Sequence, residues 1–222
     1  MAADLAIKSL PVLSEKECQL WVSKVLALRP HWTRRDPHLP FYTLGLAAYL
    51  DAVRDDPQLG GKRIYHQAAL RQQNNRLIAT HFAPLLEQCC QALALAMGQP
   101  VSCLDDQAAL PGFHIHLPHP LFGKEVASRH VDLQFRQVFG LHQPRSQDVL
   151  TITLALSLPA GAGLRLWAGD QTLFHPYQLG HMSLHDGLMQ HQAVLHPLGE
   201  PVPRIMLQCH ALQRNGAWGL YW

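Results

Sequence analysis

Asp148-Val149-Leu150-Thr151-Ile152-Thr153-Leu154-Ala155-Leu156-Ser157-Leu158 carries the clearest structural signal in the chain. From Thr151 to Leu156 small or polar residues alternate with large apolar ones, the period of a strand with one face in a core. Shorter β-type runs surround it, set off by Gly and Pro: Gly112 to Leu117, Ser128 to Phe135, Gly163 to Trp167, His181 to Leu184, Pro203 to Leu212 and Ala217 to Trp222. Seven short strands at this spacing predict a barrel or sandwich.

Upstream of Pro100 the texture is helical. Ser14-Glu15-Lys16-Glu17 has the capping-box pattern, in which the Ser and Glu side chains satisfy each other's orphan backbone donors. Cys18, Trp21, Val22, Val25 and Leu28 follow at helical spacing. Three prolines between Arg29 and Pro40 make that stretch a loop or irregular extended segment. A second helical region runs from about Tyr65 to Met97, with Ile78, Phe82, Leu85, Cys89 and Leu93 on a shared face; Gly98-Gln99-Pro100 stops it. Pro84 lacks an N–H for the ladder, which predicts two helices or a kink. Arg71, Asn74 and Asn75 read as a solvated helix face. Helices first and strands afterwards give an α+β chain with helices packed outside a β core. One domain spans 1–222, with 1–100 a mainly helical support region and 101–222 the β core.

Composition narrows the function. Among 222 residues, 18 Lys+Arg against 16 Asp+Glu leave a net charge of +2, too little for binding led by phosphate neutralisation. No apolar run approaches the roughly 20 residues of a membrane helix. Asp4, Lys8 and Ser9 interrupt any secretory h-region, so a cytoplasmic protein is expected. Cys18, Cys89, Cys90, Cys103 and Cys209 lack CxxC spacing and read as reduced, mostly buried thiols. Eleven of the 15 histidines lie between His114 and His210, a bias that directs the search to metal sites.

His130-Val131-Asp132 is the first candidate. On a strand, positions i and i+2 share a face, so imidazole and carboxylate converge. A third ligand from a neighbouring strand would make a facial triad with open positions, the arrangement suited to non-haem Fe(II) oxygen chemistry. His191 follows the Gly-bounded run Gly180 to Gly187. Arg204, thirteen residues further on, stands in the otherwise apolar run Val202 to Leu207. A buried guanidinium needs an anionic partner, and its planar fork fits a carboxylate.

The order His130-x-Asp132, His191, Arg204 resembles the Fe(II)- and 2-oxoglutarate-dependent dioxygenases. So do the helix start Leu13 to Cys18 and the hairpin Gly161 to Trp167. The resemblance implies a double-stranded β-helix (jelly-roll, cupin-like) core. It implies Fe(II) on His130, Asp132 and His191, and Arg204 gripping the C5 carboxylate of 2-oxoglutarate. It further implies an O2-consuming hydroxylase, with 2-oxoglutarate decarboxylated to succinate.

The chain departs from the family pattern in places. Many members have a hydroxyl residue two positions after the arginine, where Met206 stands here, so the second 2-oxoglutarate anchor falls to Thr151 or Thr153. The histidine-to-arginine interval is long, and His196 competes with His191 as third ligand. Asp132 separates the chain from the related halogenases. His210 stands where nucleic-acid demethylases of the superfamily have a second arginine, which with the low charge points to a small-molecule substrate. His114 and His116 share a strand face and are candidates for pocket lining, with Trp167 as a substrate platform. His181 and His185 read as solvent-exposed. Arg204 paired to Asp186 or Glu200 is the competing surface reading. Two other functions fit the same residues: a cupin-like isomerase or hydrolase using zinc without 2-oxoglutarate, and a metal-free binding module.

Overall fold

The computed structural model describes residues 7–52, 63–195 and 200–222. His196 lies outside them. Alternation along two long strands sets the architecture. In β6 (Val149–Ser157), Leu150, Ile152, Leu154 and Leu156 face one way and Thr151, Thr153 and Ala155 the other. β11 (Arg204–Arg214) pairs antiparallel with β6 and repeats the division. Ile205, Leu207, Cys209 and Ala211 join the apolar side, while Arg204, Gln208 and His210 face a cavity.

Around this pair grows a nine-stranded sheet. Its path begins with β1 (Lys8–Pro11) and β9 (His181–Asp186). It crosses β6 and β11 and continues through β5 (Gly112–His116), β3 (Phe41–Leu44) and β2 (Thr33–Arg34). β12 (Ala217–Tyr221) pairs with β11 and with β4 (Val101–Cys103). A second sheet of three strands, β10 (Gln190–Val194), β7 (Gly163–Ala168) and β8 (Gln171–Pro176), lies across the cavity. Leu164 and Leu166 of the small sheet pack with Ala155 and Met206 of the large one.

The helices cover the outer face of the large sheet. α1 (Glu15–Ala27) has its capping box, with Ser14 N–H donating to Glu17 Oε2 at 2.7 Å and Glu17 N–H to Ser14 Oγ at 3.3 Å. Its Cys18, Trp21 and Val25 join Ile78, Phe82, Leu85, Cys89 and Leu93 of α3 (Ala68–Met97) against the sheet. α3 is one 30-residue helix with Pro84 inside it, so the two-helix alternative does not hold, and Gly98 ends it at φ +64°. Asn75 is buried rather than solvated: its side chain bonds the carbonyls of Asp105 and Ala108 and the N–H of Leu110, tying α3 to the loop before β5. Two further helices are short, α2 (Ala48–Asp51) and α4 (Gln134–Phe139). Among the described residues, no helix is long and apolar enough to cross a membrane.

The expected strand from Ser128 to Phe135 does not form. Only His130 makes a bridge, and α4 begins at Gln134. The backbone is nonetheless tied on both sides of Val131. His130 exchanges N–H···O bonds with His191 at 3.0 and 2.9 Å, and Asp132 N–H donates to Gly187 O at 2.8 Å. The motif is thus stitched onto the edge of the small sheet.

Candidate metal centre

The two sheets enclose a cavity of about 290 Å³. β6 contributes Thr151 and Thr153, β9 His185, and β11 Arg204, Gln208 and His210; across from them stand Leu164 and the His191 of β10. His130 and Asp132 enter from the stitched segment. The His130–His191 bridge sets the two rings 4.4 Å apart, and potential ligand atoms of His130, Asp132 and His191 all lie within 4.8 Å of one another. Asp132 Oδ2 is 3.4 Å from His191 Nε2, and Oδ1 is 3.7 Å from His130 Nε2.

Both imidazoles are oriented by the same device. His130 Nδ1 lies 2.9 Å from Ser128 O, and His191 Nδ1 lies 2.9 Å from Met189 O. A carbonyl only accepts, so each Nδ1 carries a proton, which leaves Nε2 as the ring nitrogen turned toward Asp132 and available to a cation. Asp132 is buried, which alone would raise its pKa. The imidazoles of His210, His191 and His130 and the Thr151 hydroxyl outweigh that and hold it well below the usual carboxylate range. Thr151 Oγ1 donates to Oδ2, and Gln134 Nε2 donates to Oδ1 at 3.0 Å. Burial lowers the pKa of His191 against the pull of Asp132. Two imidazole Nε2 atoms and an ionised carboxylate therefore converge, a ligand set that suits a borderline divalent metal.

Arg204 lies in the same cavity and is 3% exposed. Asp186 instead accepts from Ser146 and from the Leu188 N–H, and Glu200 from the Ala160 N–H, so the surface pairing is not made. Arg204 Nε has no hydrogen-bond partner among the described residues. Tyr177 is the neighbour that sequence reasoning missed: its ring centre is 5.5 Å from the guanidinium carbon, and its hydroxyl acts electrostatically on Arg204. Burial lowers the pKa of Arg204 and raises that of Tyr177, each opposed by the other group.

The remaining candidates divide. Thr151 donates to Asp132, and Thr153 donates to Gln208 Oε1 at 2.9 Å. His114 and His116 line the cavity, and Trp167 does not. Trp167 instead carries the Arg129 guanidinium over its ring at 4.2 Å. His181 is half-buried, but His185 is fully buried beside His191, 4.6 Å between ring centres, which overturns its expected exposure. His181-x-Ser183-x-His185, alternating with the core residues Met182 and Leu184, was the available signal. His210, with Nδ1 3.7 Å from Asp132 Oδ2, and Gln134 were likewise missed as site residues.

No family model matches the sequence, and a search of curated proteins finds no relative. Solved structures do match. An N-substituted L-amino acid dioxygenase from Burkholderia ambifaria AMMD aligns over 97% of this chain and 86% of its own, at 11% identity and a TM-score of 0.59. The same enzyme in complex with alpha-KG aligns over the same shares at 10% identity and a TM-score of 0.56. The chain has the double-stranded β-helix fold. In this double-stranded β-helix the large and small sheets are the two walls, and the candidate centre lies between them.

Proposed function

We propose that this protein is an Fe(II)- and 2-oxoglutarate-dependent oxygenase that hydroxylates a small molecule. One observation carries the reading: the His130–Asp132–His191 donor set and a buried arginine with no acidic partner among the described residues share one cavity. The donors fit the metal, because two imidazole Nε2 atoms and the ionised Asp132 carboxylate face one another as nitrogen and oxygen ligands. The arginine fits the cosubstrate, because a buried guanidinium is costly until an anion meets it. The complex of the structurally similar dioxygenase with alpha-KG supports the same assignment. Together, bound Fe(II) and 2-oxoglutarate would supply oxidation of a substrate C–H bond by O2, with succinate and carbon dioxide as by-products.

The chain's own residues then have separable tasks. His130, Asp132 and His191 hold the metal; Thr151 and Gln134 fix the carboxylate that binds it. Arg204 receives the C5 carboxylate of 2-oxoglutarate, with the Tyr177 hydroxyl replacing the hydroxyl residue absent at Met206. Leu164 and Leu195 line the cavity with apolar surface, which limits water around the reacting carbon.

Anaerobic titration of the protein with Fe(II) and 2-oxoglutarate tests the assignment through the visible charge-transfer band of the chelate. A saturable one-to-one band is expected. Asp132→Ala should remove it, and Arg204→Ala should raise the 2-oxoglutarate concentration for half-saturation by about 10–100-fold, the cost of losing hydrogen bonds to a charge. With iron loading verified, absence of a band would shift the assignment to a zinc enzyme that does not use 2-oxoglutarate. Succinate release measured against product mass then distinguishes hydroxylation from other oxidations.

A further inference from the structure

Apart from the metal ligands and Arg204, the cavity has one long wall made of rings. Phe41 on β3 stacks on His116 of β5, with 4.5 Å between ring centres and 4° between planes. Phe122 meets His116 edge-on at 5.3 Å, and Phe41 meets His114 edge-on at 5.5 Å. His114 in turn lies 5.7 Å from Tyr49 and 5.3 Å from Trp222. All six rings line the cavity. His114, at the centre, shares a 2.9 Å hydrogen bond with the Tyr49 hydroxyl and stays neutral: burial, then Arg204 and Arg35, push its pKa down to about 3.

Asp36 lines the same cavity. Its Oδ1 accepts the backbone N–H groups of His38 and Leu39, both at 2.8 Å, which pins the carboxylate and leaves Oδ2 outside those bonds. These bonds, helped by His38 and Arg34, outweigh partial burial and keep the group ionised. Arg34 uses Nε and Nη2 on the carbonyls of Asp36 and Pro37, at 2.9 and 3.0 Å, rather than on the carboxylate.

Charge balance indicates what the ring wall is for. A divalent metal and a dianionic cosubstrate would cancel, as would Asp132 and Arg204, and Asp36 is the remaining carboxylate among the described residues that line the cavity. A carboxylate beside aromatic surface is the chemistry that recognises an organic ammonium ion: both favour a cation, and alkyl groups on nitrogen make it easier to desolvate. We propose that the substrate is a small organic ammonium compound, its nitrogen held by Asp36 and the rings of Phe41, Tyr49 and Phe122. This rests on the 2-oxoglutarate oxygenase reading, which supplies the charge balance.

Choline and 3,3-dimethylbutanol test it, because they share a shape and differ in having N⁺ or carbon at the branch point. Each is titrated by calorimetry into the metal-free protein and into the anaerobic Fe(II)–2-oxoglutarate protein, where the visible band is followed as well. Choline is expected to bind at least about tenfold more tightly than its neutral isostere. Asp36→Asn keeps an oxygen for the two backbone N–H groups and should erase most of that preference. Phe41→Leu should weaken choline more than the isostere, with the melting temperature of each variant as the folding control. Equal affinities, no binding of either compound, or a preference unchanged in Asp36→Asn would overturn the proposal. A chelate band without a choline preference removes the ammonium substrate and leaves the cofactor assignment standing. A choline preference in metal-free protein that never forms the band retains the cation site and removes the cofactor assignment.

Discussion

Two imidazole Nε2 atoms and a carboxylate gather within 4.8 Å of one another, a cluster ready to hold a cation. The surrounding residues hold that arrangement in place. Ser128 O and Met189 O fix the tautomers, and Thr151 and Gln134 fix the carboxylate. Such supporting contacts carry about 10–100-fold in metal affinity. Thr151→Val keeps the shape of the β6 side chain and removes the donor to Asp132. It is expected to weaken Mn(II) binding by about that factor in a chelator competition, with little effect on the cosubstrate. Tyr177→Phe should do the reverse: 2-oxoglutarate half-saturation rises by about 5–20-fold, the value of one hydrogen bond to a charged group, while Mn(II) affinity stays put. If Thr151→Val shifted 2-oxoglutarate and Tyr177→Phe shifted the metal, the division of labour between the two ends of the cavity would be wrong.

At the scale of elements, the site depends on strands that cannot slip. A one-residue shift of β11 against β6 would exchange Arg204 and His210 for Ile205 and Ala211 at the cavity wall. The apolar alternates that fix this register pack against α1 and α3, where Phe82 is fully buried, 4.5 Å from the Phe113 ring centre and 6.1 Å from Trp21. Phe82→Ala should cost about 3–5 kcal/mol of folding stability in urea denaturation. Because Phe82 packs on the outer face, variant protein that stays folded should bind Fe(II) and 2-oxoglutarate normally. A small loss of stability with a large loss of cosubstrate binding would mean that α3 positions the site more directly than packing suggests. β6 and β11 were legible in the sequence because alternation records which face is wet. Ser128 to Phe135 was misread because its apolar residues, Val131, Leu133 and Phe135, alternate by chance; the segment is held by two stitches to other strands, and α4 takes over at Gln134. β8 escaped notice because most of its residues are exposed, leaving no burial pattern to print on the sequence.

The whole molecule is a pair of sheets with the candidate site between them. Local patterns show His130, Asp132, His191 and Arg204, since each has a distinctive neighbourhood in sequence. Tyr177, Gln134 and His210 come together only through the fold: Tyr177 lies between β8 and β9, far along the chain from Asp132, yet faces the same cavity. A site assembled this way ties ligand binding to global stability, because the unfolded chain cannot gather these residues. At a ligand concentration about 100 times its dissociation constant, the linkage amounts to about 2.7 kcal/mol. In a chain of this size that raises the melting temperature by about 5–10 °C. Mn(II) with 2-oxoglutarate should therefore stabilise the protein to that extent, and EDTA should reverse it. Asp132→Ala should abolish the shift altogether, while Arg204→Ala should retain the part produced by Mn(II) alone and lose the increment from 2-oxoglutarate. An increment from 2-oxoglutarate in Asp132→Ala as large as in the parent would show that the cosubstrate binds without the metal, and the two halves of the centre would then have to be treated as independent sites.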